Sequence, residues 1–252
     1  MTDRTVSAPL TDAKPRRRRW RRVVFGILGA AVGIVVIGGI GVNVYLGADI
    51  PALWAGKVED VEDRFPDGRP QNGVLLTGSS YIEQWSTSEE DLAPLDTVNI
   101  GIGGTKIGDH AAYVDRLVVP FHPRAIVVYA GSNDISGLPF FSKSGEDVSE
   151  RVAQYLETLH QKLPDAKIFY VAVTEAPIRA GVRDDIQKAN SLISEFARTT
   201  DYVTFIDTAP VLLAEDGDID ESLFGPDNLH FNDKGYEKFS SAIRPVLIDS
   251  LG

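Results

Sequence analysis

The chain has no cysteine. That excludes disulfides, thiolate catalysis and cysteine-ligated metals. It leaves the compartment open, because exported proteins can also lack cysteine. Basic residues are scarce beyond residue 22. Residues 1–22 hold Arg4, Lys14, Arg16 to Arg19, Arg21 and Arg22 against Asp3 and Asp12, so the whole-chain net charge of −11 understates how acidic the remainder is. An acidic main domain argues against nucleic acid as its partner.

Charge is also missing from Val23 to Leu46, 24 residues whose most polar side chain is the amide of Asn43. As a helix this segment is about 36 Å long, enough to cross a hydrocarbon core of about 30 Å with some tilt. The run Arg16-Arg17-Arg18-Arg19-Trp20-Arg21-Arg22 stands directly before it. That order is the positive-inside flank of a membrane span with a cytoplasmic N-terminus. A cleaved signal peptide is the rival, but its apolar core usually has only about 7–15 residues, and Leu46-Gly47-Ala48 is a poor cleavage box. The expected organisation is a basic cytoplasmic tail (1–22), a single transmembrane anchor (23–46), a juxtamembrane helix and connector (47–70) and an extracytoplasmic domain (71–252). Gly29 and Gly33 have the spacing of a helix-packing pair, in a segment rich in glycine throughout.

From Gln71 onward, apolar runs alternate with helical periods. Strands are expected at Val74–Thr77, Thr97–Ile100, Ala125–Ala130, Lys167–Val173 and Val203–Ile206. Helices are expected at Ile82–Leu92, Asp109–Val118, Gly145–Lys162, Arg183–Arg198 and Asp233–Leu247, with Pro51 to Phe65 as a short amphipathic helix upstream. Val148, Val152, Tyr155, Leu156, Leu159 and Leu163 fall on one helical stripe. Five strands alternating with helices mean a parallel sheet covered on both faces. Ligands in such sheets bind beyond the carboxyl ends of the strands.

Four stretches sit at those ends or before the last helix. Val74 to Leu76 runs into Gly78-Ser79-Ser80, where Ser80 opens a helix. The second strand runs into Gly101-Ile102-Gly103-Gly104-Thr105, the third into Gly131-Ser132-Asn133-Asp134, and Asp227-Asn228-Leu229-His230 precedes the last helix. Each has a plain reading alone: a serine cap, a glycine turn, an asparagine turn, a surface histidine. Together they supply a nucleophile, a base, an orienting carboxylate and oxyanion donors. Ser80 needs a base near neutral pH, and His230 is the natural one. Asp227, three residues earlier, can hold the Nδ1 proton and leave Nε2 facing Ser80. The Ser80 and Gly104 N–H groups and the Asn133 amide can receive an oxyanion.

These four blocks, in this order, resemble the SGNH (GDSL-type) hydrolase superfamily over about residues 71–250. The resemblance implies a flavodoxin-like three-layer α/β/α sandwich with a five-stranded parallel sheet. It implies catalysis by Ser80, His230 and Asp227, an oxyanion hole of Ser80, Gly104 and Asn133, and no cofactor or metal. The expected activity is a membrane-anchored extracytoplasmic serine ester hydrolase acting on an acylated lipid or carbohydrate. Acyl transfer to an envelope sugar or lipid uses the same site, and a non-catalytic binding module is the rival from another class. Two positions depart from the family pattern. Ser79 stands where Asp is usual, which makes Ser79 a second nucleophile candidate. Thr105 stands where Asp often follows the glycine.

Other residues stay open at this stage. Ser136 to Ser144, with Leu138, Pro139, Phe140 and Phe141, reads as an apolar lip for an acyl chain or as a packed loop. Arg179 and Arg183 read as contacts for an anionic or sugar substrate, or as solvated side chains. Asp109, His110 and His122 read as caps and surface contacts. The acidic run from Glu215 to Glu221 fits no full calcium loop and reads as solvated.

Overall fold

The computed structural model describes residues 48–138 and 141–252. Five short strands build one sheet: β1 (Val74–Gly78), β2 (Thr97–Asn99), β3 (Ala125–Tyr129), β4 (Lys167–Val171) and β5 (Val203–Ile206). The order is β2-β1-β3-β4-β5 and every pairing is parallel. This is the flavodoxin-like order, with its switch point between β1 and β3. Each strand ends within two residues of its expected boundary.

Side chains alternate across the sheet. Leu75, Ile126, Val128, Ile168 and Tyr170 point into one core. Helices α1 (Ala55–Asp63), α4 (Ile107–Ala112), α5 (Val114–Leu117), α6 (Gly145–Lys162) and α7 (Arg183–Thr199) cover that face. Val74, Leu76, Val127, Tyr129, Phe169 and Val171 point into the other. There α2 (Ser80–Glu83), α3 (Ser88–Asp91), α8 (Ala209–Leu212) and α9 (Asp233–Leu251) close the third layer. Helix α6 starts where Ser144 Oγ accepts the Asp147 N–H, and it buries the expected stripe from Val148 to Leu159.

Three expectations about element and domain boundaries need correction. The helix expected over Ile82–Leu92 is two short pieces, because side chains take over the backbone partners. Asn99 Nδ2 donates to the Ile82 carbonyl at 2.7 Å and to that of Trp85 at 3.3 Å. Trp85 Nε1 and Thr87 Oγ1 both donate to Asp91 at 2.7 Å. The helix expected over Asp109–Val118 starts at Ile107 and breaks at Tyr113, whose hydroxyl is drawn to the Pro51 carbonyl at 2.8 Å. The folded domain also begins before Gln71. Val58 and Val61 of α1 belong to the first core, and Phe65 meets Phe121 edge-on at 5.2 Å. The anchor expected at 23–46 lies outside the described residues. Among the described residues no helix is long and apolar enough to cross a membrane.

His110 is not a surface residue. It is buried against Tyr155, with Nε2 2.9 Å from Thr105 Oγ1. Thr105 Oγ1 itself donates to the Ile102 carbonyl at 2.6 Å, so the network assigns the proton to His110 Nε2. Burial lowers the His110 pKa from 6.5 to about 4. The unfolded chain therefore takes up this proton as pH falls below about 6.5, and the folded chain only near 4. The stabilisation is complete above pH 6.5 and is lost as pH falls through that window, at up to about 1.4 kcal/mol per pH unit. His110→Gln should remove this component. Urea unfolding at pH 7 and pH 5 should then show a smaller stability difference in the variant than in the wild type.

Candidate active site

The site lies beyond the carboxyl ends of β1 and β3, at the switch point. Strand β1 ends at Gly78, where a β-carbon would stand 2.3 Å from the Tyr129 carbonyl oxygen, so only glycine lets β1 and β3 approach this closely. Ser79 follows with its N–H on the same carbonyl at 3.1 Å. Its carbonyl then accepts from the N–H groups of Ile82 and Glu83, both at 3.0 Å, which starts α2. Ser80 is the first residue of that helix.

Ser80 Oγ lies 2.8 Å from His230 Nε2, and His230 Nδ1 lies 2.6 Å from Asp227 Oδ2. The other Asp227 oxygen accepts the backbone N–H groups of Leu229 and His230, both at 3.0 Å. The His230 N–H bond is the largest of the influences that lower the Asp227 pKa to about 2. The carboxylate stays charged, and its fixed position puts the proton on Nδ1 and leaves Nε2 to accept from Ser80. Asn228, between them, has φ of 53°, a left-handed turn that Asn tolerates. Tyr81 fixes this loop from below: its hydroxyl donates to the Leu229 carbonyl and its ring lies 5.8 Å from that of His230.

The oxyanion candidates besides Ser80 sit on the loops that follow β2 and β3. Gly103 approaches Ser80, since a β-carbon there would be 3.4 Å from that of Ser80. Gly104 has φ of 90°, and a β-carbon would meet the Trp54 ring at 2.7 Å. Asn133 Nδ2 gives one hydrogen to the Thr105 carbonyl at 3.0 Å, which leaves the second amide hydrogen for a ligand. Arg179 turns out to be partly buried. It donates to the Ile135 carbonyl and, at 3.4 Å, to Asn133 Oδ1, so it holds the Asn133 loop. Arg183 instead pairs with Glu175 at 3.0 Å and with Asp218 at 3.3 Å on the surface.

Ser79 Oγ is buried and has no hydrogen-bond partner among the described residues. Of the two serines, Ser80 is the one whose hydroxyl meets the imidazole. Asp109 acts as a cap, accepting the Lys106 N–H at 2.9 Å. Of the Ser136–Ser144 segment, Pro139 and Phe140 lie outside the described residues. A polar cleft of about 480 Å³ opens next to the glycine loop, lined by Lys57, Arg64, Glu83, Ser86, Asn99 and Gly101 among others. Sequence reasoning missed Tyr81, Trp54 and the role of Arg179, since each acts through contacts between distant segments.

A hydroxyl, an imidazole and a carboxylate in hydrogen-bonded series at the switch point of a parallel sheet are the arrangement of a serine ester hydrolase. The chain belongs to the GDSL-like lipase/acylhydrolase family, whose profile matches residues 73–238. No curated protein matches it. Several solved structures share its fold. A Streptococcus pneumonia protein, provisionally named a platelet activating factor, is 17% identical with a TM-score of 0.68, over 86% of this chain and 99% of that one. A GDSL-like lipase from Bacteroides thetaiotaomicron is 19% identical with a TM-score of 0.60, over 81% and 99%. A family 3 carbohydrate esterase from Talaromyces cellulolyticus is 16% identical with a TM-score of 0.56, over 71% and 98%.

The two adjacent serines are separable. Ser80→Ala should abolish covalent labelling by a fluorophosphonate, and Ser79→Ala should keep it. Intact-mass spectrometry of the labelled variants, with circular dichroism to show both are folded, reads the outcome.

Proposed function

We propose that the protein is a membrane-anchored, extracytoplasmic serine esterase that removes acyl groups from carbohydrate. The observation that carries the chemistry is the contact of Ser80 Oγ with His230 Nε2 at 2.8 Å, with Asp227 behind it at 2.6 Å. Ser80 Oγ attacks the ester carbonyl carbon while His230 Nε2 takes its proton. The new imidazolium faces a carboxylate held in its charged form. The tetrahedral oxygen receives hydrogen bonds from the N–H groups of Ser80 and Gly104 and from the spare Asn133 amide hydrogen. The intermediate collapses, His230 protonates the departing alcohol, and an acyl-Ser80 remains. Water then attacks the acyl carbon, giving its proton to His230, and the second tetrahedral intermediate releases the acid and restores Ser80.

The polar cleft beside the glycine loop is lined by neither Ser80 nor His230, so what supports carbohydrate as the alcohol portion is the likeness to a carbohydrate esterase. Anchoring rests on the basic run followed by 24 uncharged residues.

Turnover of acetylated xylo-oligosaccharides should exceed that of long-chain acyl esters; the reverse order would replace carbohydrate by lipid. Transfer of the acyl group to an added sugar in preference to water would make the enzyme a transferase. Asn133→Ala should lower kcat by about 10²–10³, the usual effect of losing one oxyanion donor. On the acid side, log(kcat/KM) should fall with a slope of one per pH unit. Asp227, ionised down to about pH 2, does not contribute to that limb. A limb that survived in an active His230→Gln variant with the same slope and midpoint would refute His230 as the base. For localisation, the full chain should sediment with membranes and residues beyond about 50 should be open to external protease. A shortened soluble form released during export would mean cleavage instead.

A further inference from the structure

The family match begins at residue 73, yet the loops around Ser80 are gripped by residues 48–57. Lys106 Nζ donates to the Ala48 carbonyl at 3.1 Å, two residues past Gly104. Asp49 pairs with Arg151, and Arg151 also faces Asp134, the neighbour of Asn133, at 3.7 Å. Gly108 lets Asp49 in, since a β-carbon there would stand 2.6 Å from Asp49 Cγ. Tyr113 reaches the Pro51 carbonyl. Lys57 Nζ meets Glu83 at 2.7 Å, and the Glu83 carboxylate lies against Gly103.

Trp54 makes the most direct contact. The benzo edge of its indole lies on the open side of Gly104, where a side chain would otherwise be. Its side-chain donor faces Asp109, the cap of the helix that follows this loop. That facing is looser than a formed hydrogen bond, because Asp109 Oδ1 has no partner at hydrogen-bond distance among the described residues. The two oxyanion loops are also tied to each other. Asn133 Nδ2 donates to the Thr105 carbonyl, and Asp134 Oδ2 accepts the Ile107 N–H at 3.1 Å. A grip on one loop is therefore a grip on both.

We propose that residues 48–57 are a strap that fixes the oxyanion donors, and that Trp54 is the positioning residue which holds Gly104 with its N–H aimed at the reacting carbonyl. Glycine at φ of 90° has wide freedom on its own. The ring removes it. Catalysis by preorganised donors depends on that rigidity, because a donor that must reorient during the reaction loses much of its effect.

The inference rests on the serine esterase reading, and the experiment separates the two. In the full-length protein, hydrolysis of 4-nitrophenyl acetate by wild type and its loss in Ser80→Ala test the esterase reading alone. Trp54→Ala, with Ser80 intact, tests the strap. It should lower kcat/KM about 10–100-fold, mainly through kcat, and weaken inhibition by phenylboronic acid, a tetrahedral mimic, by a similar factor. Trp54→Phe should recover most of both. The acid limb of the pH profile should keep its midpoint, since His230 is untouched. If Trp54→Ala does not fold, Trp54→Leu is read by the same measures. A folded variant with unchanged kcat and unchanged boronate affinity overturns the proposal. So does a rise in KM alone, which would make Trp54 a substrate contact rather than a positioning residue.

Discussion

The hydrogen bond between Ser80 and His230 joins residues 150 positions apart, and much of the architecture serves it. It requires the end of β1 and the loop before α9 to meet at one point. The contact is made on a dense aromatic floor. Tyr81 lies 4.8 Å from Tyr129 and 4.9 Å from Phe231, and Phe231 lies 5.3 Å from Phe239. Tyr81 also donates to Leu229, and Tyr236 donates to the Tyr81 carbonyl at 3.2 Å. Residues on either side of the nucleophile and the base are thereby bonded to each other. Close packing transmits that order because buried rings have few alternative positions.

The two sides of the site use charge differently. On the imidazole side, Asp227 is half-exposed and held by two backbone N–H groups, so its charge is stabilised by fixed dipoles. On the oxyanion side, Asp134 is fully buried, and burial raises its pKa against the opposing pull of Lys143 and Arg151. Removing one partner there would leave a charge in a low-dielectric interior. The strap, through Asp49 and Arg151, is part of that balance. An imidazole held neutral by burial, His110, sits beside Thr105 and adds a hydrogen bond with no charge.

The sheet was legible because β1, β3 and β4 are mostly apolar runs bounded by glycine or polar residues, and a doubly covered sheet has that pattern. The four blocks were legible because each sits within a few residues of a strand end or a helix start, where local sequence dictates position. Arg179 was not legible as a support of Asn133, since nothing local to residue 179 indicates a partner 46 residues away. Trp54 read as one apolar position of an amphipathic helix, and only the fold brings it to Gly104. The break after Glu83 had the same origin. Asn99, from another strand, takes carbonyls that a continuous helix would have used.

Ser79 shows how the family pattern can change without loss of the site's geometry. A carboxylate is usual at that position, yet the Ser79 hydroxyl bonds to nothing among the described residues. The bonds that Ser79 contributes to the turn are main-chain bonds: its N–H on Tyr129, and its carbonyl under Ile82 and Glu83. These are indifferent to the side chain. A buried carboxylate would need partners of its own to offset desolvation. A buried hydroxyl left unpaired costs far less than an unpaired charge. The turn can therefore hold Ser80 with serine at 79, provided that the backbone bonds and the aromatic floor beneath Tyr81 persist. Support that the family draws from a carboxylate beside the nucleophile is carried here by main-chain bonds and by contacts to the neighbouring loops.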